Sequence, residues 1–263
     1  MKPKTLRSLK KIGKSLLAIL VVLGVWQAAI EIFHIKKYVL PSPLLVLRSL
    51  FDPAIAAKNH WWQNIGTTST EILLSFFVTL AAGVLLALII AWSKPLNKLL
   101  MPVIVLLNSI PKIALAPLFL LWFGYGLKTN VFVAVLVAFF PVVINTVTGL
   151  IEVDENLLDL VQYLNATKLQ VFTKIRIPNA LPHLFAGIKT SATMCVTGSI
   201  VGEFIASKSG LGRLLRSAQA NIDMATMFAC LLLLSLLGLA FFRLIGVAER
   251  VCIPWANNEA QEE

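Results

Sequence analysis

The chain has 263 residues, of which 58% are hydrophobic and 14% charged, and its mean hydropathy is +0.83. An average soluble domain carries roughly 25% charged residues, so this composition excludes an ordinary water-soluble globule and makes lipid the solvent for most of the polypeptide. The formal charge of +10 reads as membrane topology rather than nucleic-acid binding, because its placement suits the ends and flanks of apolar runs.

Lipid offers no hydrogen-bond partners, so spanning segments must be helices or a closed barrel. The apolar runs here are too long and too unalternating for barrel strands. The sequence therefore predicts an all-α, polytopic integral membrane protein with about six transmembrane helices.

Residues 1–14 form a basic arm with Lys2, Lys4, Arg7, Lys10, Lys11 and Lys14. A first span is predicted over Leu16 to Phe33. The basic start resembles a signal peptide, but Trp26 and Glu31 replace a small-residue cleavage site, so the span is read as retained. Leu40-Pro41-Ser42-Pro43 and a short amphipathic piece over Leu44 to Phe51 follow, and Trp61-Trp62 is placed at headgroup depth. Span 2 runs from Ile72 to Trp92 and is closed by Ser93-Lys94-Pro95. Span 3 begins near Leu99, breaks at Asn108 to Lys112, and resumes through Ala114-Leu115-Ala116-Pro117 to Phe123-Gly124. A break at that depth is tolerated only where protein or a water-filled cavity covers it. Span 4 covers Val131 to Val147, span 5 Leu184 to Ile205, and span 6 Phe228 to Val247, with Ser207 to Asn221 a polar re-entrant candidate. An acidic stretch, Asn257 to Glu263, ends the tail at 251–263. The spans and loops use up the chain as one transmembrane domain, 1–263. With the amino terminus inside, thirteen Lys and Arg fall on the cytoplasmic side against eight outside, the expected bias.

Between spans 4 and 5 lies Asp154 to Pro182, the longest stretch in the middle of the chain that water can solvate. Leu157, Leu160, Val161 and Leu164 at i, i+3, i+4 and i+7 predict a short amphipathic helix, with Asp154 as N-cap and Asn165 as a left-handed stop. Lys168 to Ile177 is expected to form a second short basic helix that Pro178 ends, and Pro182 opens the next apolar run. On these features alone the pair is equally compatible with a helix pair lying along anionic headgroups.

Candidate chemistry is sparse. No GxxxxGK[ST] loop is present, so the chain is not expected to hydrolyse ATP itself, and Gly210-Leu211-Gly212 reads as a turn. His34, His60 and His183 share no ligand spacing with Cys195, Cys230 and Cys252, so neither a metal site nor a structural disulfide is expected. A charge near the bilayer centre costs at least roughly 2.5–3.5 kcal/mol, which draws attention to Lys112, Lys189 and Glu203. Each either snorkels to an interface or faces a pathway: Lys189 is read as snorkelling, Glu203 as half solvated near the outer end of its span, and Lys112 as a pathway candidate. Thr190, Ser191, Thr193, Thr197, Gly198 and Ser199 either pack helices closely or line a route. The candidate translocation residues are Asn108, Ser109, Lys112, Asn145, Thr193, Thr197 and Glu203.

The order helix, Asn165, Ala166-Thr167, Phe172, then Ile177-Pro178-Asn179-Ala180-Leu181-Pro182 resembles the cytoplasmic coupling loop, the EAA loop, of binding-protein-dependent ABC importer permeases. Further matches are Leu40-Pro41-Ser42-Pro43, Ser109 to Leu118 with Trp122-Phe123-Gly124, Phe140-Pro141 to Asn145-Thr146, and Gly202-Glu203 with Ser209 to Gly212. Together they resemble the nitrate, sulfonate and taurine branch over about residues 26–250. The resemblance implies a type I ABC importer permease fold in the bacterial inner (plasma) membrane with both termini cytoplasmic. It implies a second permease copy, an ATPase subunit dimer inside and a substrate-binding protein outside. No cofactor is expected on this chain, since ATP and Mg would sit on the ATPase. Asp159, Leu160, Val161, Asn165, Ala166 and Thr167 would form the ATPase contact, with Phe172, Pro178 and Pro182 fixing its angle. Where the family has Glu-Ala-Ala and then Gly after three residues, this chain has Asp159-Leu160-Val161 and Asn165, which implies a bulkier contact. The implied solute is a small anion such as a sulfonate, taurine or nitrate; a pyrimidine vitamin precursor or aromatic carboxylate is the alternative. An intramembrane enzyme using Glu203, Asp159 and the histidines, or a scaffold, is the reading from another class.

Overall fold

The computed structural model describes residues 3–255, which are helical apart from short connections. The side chains of the basic arm and the acidic tail Asn257–Glu263 lie outside the described residues. Two compact units divide the chain, one built from the residues up to Trp61 together with Leu214–Leu232, the other from Trp62–Arg213 together with the residues from Leu233.

In the first unit, α1 (Pro3–Ile32) contains the expected first span, and its apolar part among the described residues is Leu20–Ile32. Helix α2 (Pro43–Phe51) starts where the Ser42 hydroxyl accepts the Leu45 N–H, and α3 (Pro53–Asn59) where the Asp52 carboxylate accepts the Ala54 N–H at 3.0 Å. Both place proline in the first turn, where its missing N–H costs nothing. Trp61 and Trp62, expected together at headgroup depth, differ in burial. The Trp61 indole N–H donates to the Ser49 carbonyl at 3.1 Å and the ring is buried, whereas Trp62 is exposed. A protein acceptor satisfies the one polar atom of Trp61, so it has no need of headgroups.

The second unit carries α4 (Trp61–Trp92), α5 (Lys94–Asn108), a 3-10 turn (Lys112–Leu115), α6 (Ala116–Phe123), α7 (Leu127–Ile151), α8 (Glu155–Tyr163), α9 (Lys168–Val171) and α10 (Ile177–Ala206). Two further helices, α11 (Leu211–Ala220) and α12 (Met224–Cys252), complete the order. Among the described residues, helices α4, α7 and α12 and the continuous run Lys168–Ala206 are long and apolar enough to cross a bilayer, and α5 with the segment Lys112–Phe123, bent by 76°, forms a broken span or a re-entrant loop. The break predicted at Asn108 to Lys112 is thus present, because Pro111 cannot donate a helix hydrogen bond and the chain tightens into the 3-10 turn.

One expectation about this region is corrected. Pro178 does not end a helix: α9 passes through a π-turn (Phe172–Arg176) directly into α10. The Ile177 N–H reaches back to the Phe172 carbonyl, and the widened turn relieves the clash between the Pro178 ring and the preceding turn. Pro182, at the head of the apolar run as expected, lies inside α10. The stretch Ser207 to Asn221 is mostly helix α11, with Leu211, Leu214, Leu215 and Ala218 buried on one face.

Helices α7 and α10 pack most extensively in the second unit. Glycines set their separation: a Cβ at Gly187 would sit 2.9 Å from the Pro141 carbonyl oxygen, and one at Gly202 2.7 Å from the Asn130 Cα. Small residues let backbones approach in lipid, where no hydrophobic force separates helix from solvent. Around this pair Ile72, Phe76, Ala138, Phe185, Ile188, Ala192, Cys195, Val196 and Ile253 form the core.

Candidate functional site

The 154–182 segment is built by paired caps. The Asp154 carboxylate accepts the Asn156 N–H at 2.8 Å and starts α8. At the other end Asn165 takes left-handed geometry, φ 54°. The Ala166 N–H donates to the Val161 carbonyl at 3.0 Å and the Asn165 N–H to the Gln162 carbonyl at 2.9 Å. This is the two-bond helix stop that ordinarily uses glycine. Thr167 then opens α9 with a capping box, its hydroxyl accepting the Gln170 N–H while the Gln170 side chain accepts the Thr167 N–H at 2.8 Å. The two helices are thus joined at the Asn165-Ala166 turn by hydrogen bonds local to it.

The base of the segment is locked. Phe172 is buried among Ala91, Leu150 and Ala180 and meets Trp92 edge-on at 5.0 Å between centroids. Arg176 donates to the Leu150 carbonyl at 3.3 Å, and the Asn179 amide donates to the Gly149 and Glu152 carbonyls. Its tip is open. Leu160 is 57%, Tyr163 89%, Leu164 70% and Leu169 59% exposed, so the segment leaves apolar side chains uncovered among otherwise polar ones. Among the named coupling residues, Asp159, Leu160, Asn165 and Thr167 are exposed, Val161 and Ala166 partly so, and Phe172 buried; Pro178 is exposed and Pro182 partly buried.

Of the translocation candidates, the structure bonds Lys112 to Asn108. Lys112 donates to the Asn108 carbonyl at 2.6 Å and the Asn108 side chain at 2.8 Å, and stands 4.8 Å over the Phe140 ring. Ser109 bonds back to Val105, and Asn145 donates to the Pro141 carbonyl at 2.8 Å within α7. The polar set on α10 splits by helical phase. Ser191, Gly198 and Ser199 are buried, while Thr190, Thr193 and Thr197 form an exposed stripe. Lys189, read as snorkelling, forms an ion pair with Glu249.

Glu203 is fully buried rather than half solvated. It accepts from the Thr68 hydroxyl and from the Gly212 N–H, each at 2.6 Å. Glu71, also buried, accepts from the Asn130 amide at 2.8 Å and lies close enough to Glu203 for the two carboxyls to interact. The loop after α10 is folded onto this cluster, with the Gly210 N–H on Asn64 and the Leu211 N–H on Thr68. The sequence reading missed Glu71 because it lies just outside the predicted span 2. The available signal was Thr68, Glu71, Ser75 and Thr79 at i, i+3, i+7 and i+11, a polar stripe on one face of α4 that is entirely buried.

Gly210 has φ +100°, and a Cβ there would collide with the Glu203 carboxylate. Gly210→Ala is therefore expected to lower the thermal midpoint in detergent by more than Gly124→Ala. The latter carries similar backbone strain, about 1–3 kcal/mol, at a glycine with φ +73° and open space around it. Equal shifts would show that the carboxylate moves aside freely.

Residues 80–251 match the model of the family described as binding-protein-dependent transport system inner membrane component. The chain is 34% identical to the riboflavin transport system permease protein of Chloroflexus aurantiacus, over 90% of this chain and 88% of that one. It is 30% identical to the formylaminopyrimidine transport permease protein of Halalkalibacterium halodurans, over 91% and 94%. It is 28% identical to the putative aliphatic sulfonates transport permease protein of Escherichia coli, over 89% and 88%. An inward-facing structure of the MetNI methionine ABC transporter shares the fold with a TM-score of 0.51 at 21% identity, covering 79% of this chain and 98% of that one. The chain belongs to the family of binding-protein-dependent transport system inner membrane components, as a multi-pass permease subunit of an ABC importer.

Proposed function

We propose that this permease forms half of a translocation path for a small heteroaromatic solute, passed to it by an external binding protein and driven by ATP hydrolysis on a separate ATPase subunit. The observation that carries the reading is the capped helix pair α8–α9, rigid at its root and apolar at its exposed tip. Such a shape can take up motion from another protein and pass it to α10, with which it is continuous. A second permease copy would supply the other half of the path, and the uncharged stripe Thr190, Thr193 and Thr197 is the face it would share.

A heteroaromatic cargo is favoured by the riboflavin and formylaminopyrimidine relatives, whose identities exceed that of the sulfonate permease. It also suits the candidate cation, since the Lys112 ammonium is already held by Asn108. The second reading, a small anion such as a sulfonate, taurine or nitrate, rests on the sulfonate relatives and on Lys112 turning from Asn108 to a bound anion.

The test is ATP-dependent uptake into vesicles holding the chain with its ATPase and binding protein, with labelled solute and unlabelled competitors. Competition by pyrimidines or flavins but not by alkanesulfonates is the expected result. The opposite order selects the anion, and failure of the chain to co-purify with any ATPase removes the transport reading.

A further inference from the structure

At the root of the α8–α9 segment three adjoining hollows of about 430, 530 and 270 Å³ share two lining residues, Lys94 and Arg176. Lys168 and Lys98 join them, so four cations face the carboxylates of Glu155 and Asp159 alone. No ion pair among the described residues links any of the four to either carboxylate. Two cations are already posed: Arg176 by its bond to the Leu150 carbonyl, and Lys168 by standing 4.7 Å over the Trp92 ring. The hollow is also distinct from the exposed apolar tip. Glu155, Leu158, Asp159 and Gln162 line it from one side of α8, while Leu157, Leu160 and Leu164 point from the opposite side at 100° per residue.

We propose that this hollow binds the phosphate headgroup of an anionic phospholipid. Its depth in the membrane follows from the helices around it: Trp92 is the last residue of α4, Lys94 the first of α5 and Ile151 the last of α7. Basic pockets between helix ends at headgroup depth attract anionic lipid, each cation adding attraction. The source is lipid rather than free phosphate because the hollow continues into an apolar track. Leu85, Ile89 and Trp92 lie at i, i+4 and i+7 on α4 and are 62%, 57% and 41% exposed, which gives acyl chains a path down from the headgroup. A lipid seated there bridges the α4–α5 corner and the root of the lever, so it would tie the two together.

The experiment is native mass spectrometry of the full-length chain released from detergent, titrated with phosphatidylglycerol or with phosphatidylcholine of the same acyl chains. Phosphatidylglycerol is expected to be retained at least about tenfold more strongly. The exposed pair Lys94→Gln/Lys98→Gln should remove most of that preference, with phosphatidylcholine retention unchanged and the Lys37→Gln control silent. Equal retention of the two lipids, or an undiminished preference in the double variant, overturns the site. Displacement of phosphatidylglycerol by millimolar inorganic phosphate assigns the hollow to a free anion and overturns the lipid. A melting curve for each variant, superimposable on that of the parent, confirms that lost retention is not lost folding.

Discussion

Gly198→Leu is expected to leave no folded permease. A Cβ at Gly198 would sit 2.5 Å from the Ala134 Cα and 3.3 Å from the Ala134 nitrogen. The obstacle is therefore the backbone of α7, not the movable end of a side chain. Accommodating it means forcing α7 and α10 apart, and the glycine contacts at Gly149, Gly187 and Gly202 along the same interface would open with them. Overpacking by a methyl group costs about 1–3 kcal/mol even where neighbours can shift. A leucine against backbone exceeds that, within a total stability of about 5–15 kcal/mol. Gly198→Ala is the graded case: its single methyl already meets backbone, so the midpoint is expected to fall by at least the equivalent of about 1–3 kcal/mol, but by less than for leucine. Gly66→Ala in α4, with nothing within 4 Å of its Cβ, should be silent. Size-exclusion profiles after a temperature series in detergent read all three. A Gly198→Leu chain that stays monodisperse to the parental temperature would mean the two helices do not pack as described.

What the sequence made legible follows from which forces are local. The α8 stop at Asn165, the Asp154 cap and the break after Asn108 are each specified by residues within one or two turns, and each sits where the pattern placed it. The Pro178 error has the same origin read in reverse. Proline forbids a regular helix turn, but a π-turn of five residues removes the conflict, and nothing in Phe172 to Arg176 signals one. Long-range facts were less visible. Glu203 reads as a charge near a span end until Thr68 and Gly212 are brought to it, and the partner of Lys189, Glu249, arrives from α12 sixty residues away in the chain. The polar stripe on α4 was present in the sequence at helical spacing. It was overlooked because a membrane span was sought as an unbroken apolar run, and the start at Ile72 left Thr68 and Glu71 outside it. The exposed apolar tip of α8 was legible as periodicity, but its orientation was not. Periodicity marks Leu157, Leu160, Val161 and Leu164 as one face without saying which way it turns; in the structure Leu157, Leu160 and Leu164 are exposed, whereas Val161 and its neighbour Leu158 are partly buried.

That outward face leads to the second large effect, on transport rather than folding. Leu160→Asp/Leu164→Asp should abolish ATP-driven uptake while leaving the chain in the membrane at parental abundance and with a parental melting curve. Both side chains are mostly exposed, so charging them disturbs no core, and folding has nothing to lose. If the face docks a partner, however, each leucine is an apolar anchor. Central anchors are worth about 2 kcal/mol or more, so each loss weakens association by roughly thirtyfold. Two charges desolvated against an apolar groove add to that penalty. The turn supplies an independent check on whether the angle of the pair matters as well as its surface. Asn165→Gly keeps left-handed geometry and should transport normally, whereas Asn165→Val places a β-branched residue at φ 54°, at a cost of about 1–2 kcal/mol. The valine variant should lose uptake through a loosened α8–α9 angle without altering the apolar tip. Wild-type uptake in the double aspartate variant would show that the lever is driven through some other surface. A lowered melting curve in that variant would show instead that Leu160 and Leu164 are held against the protein itself.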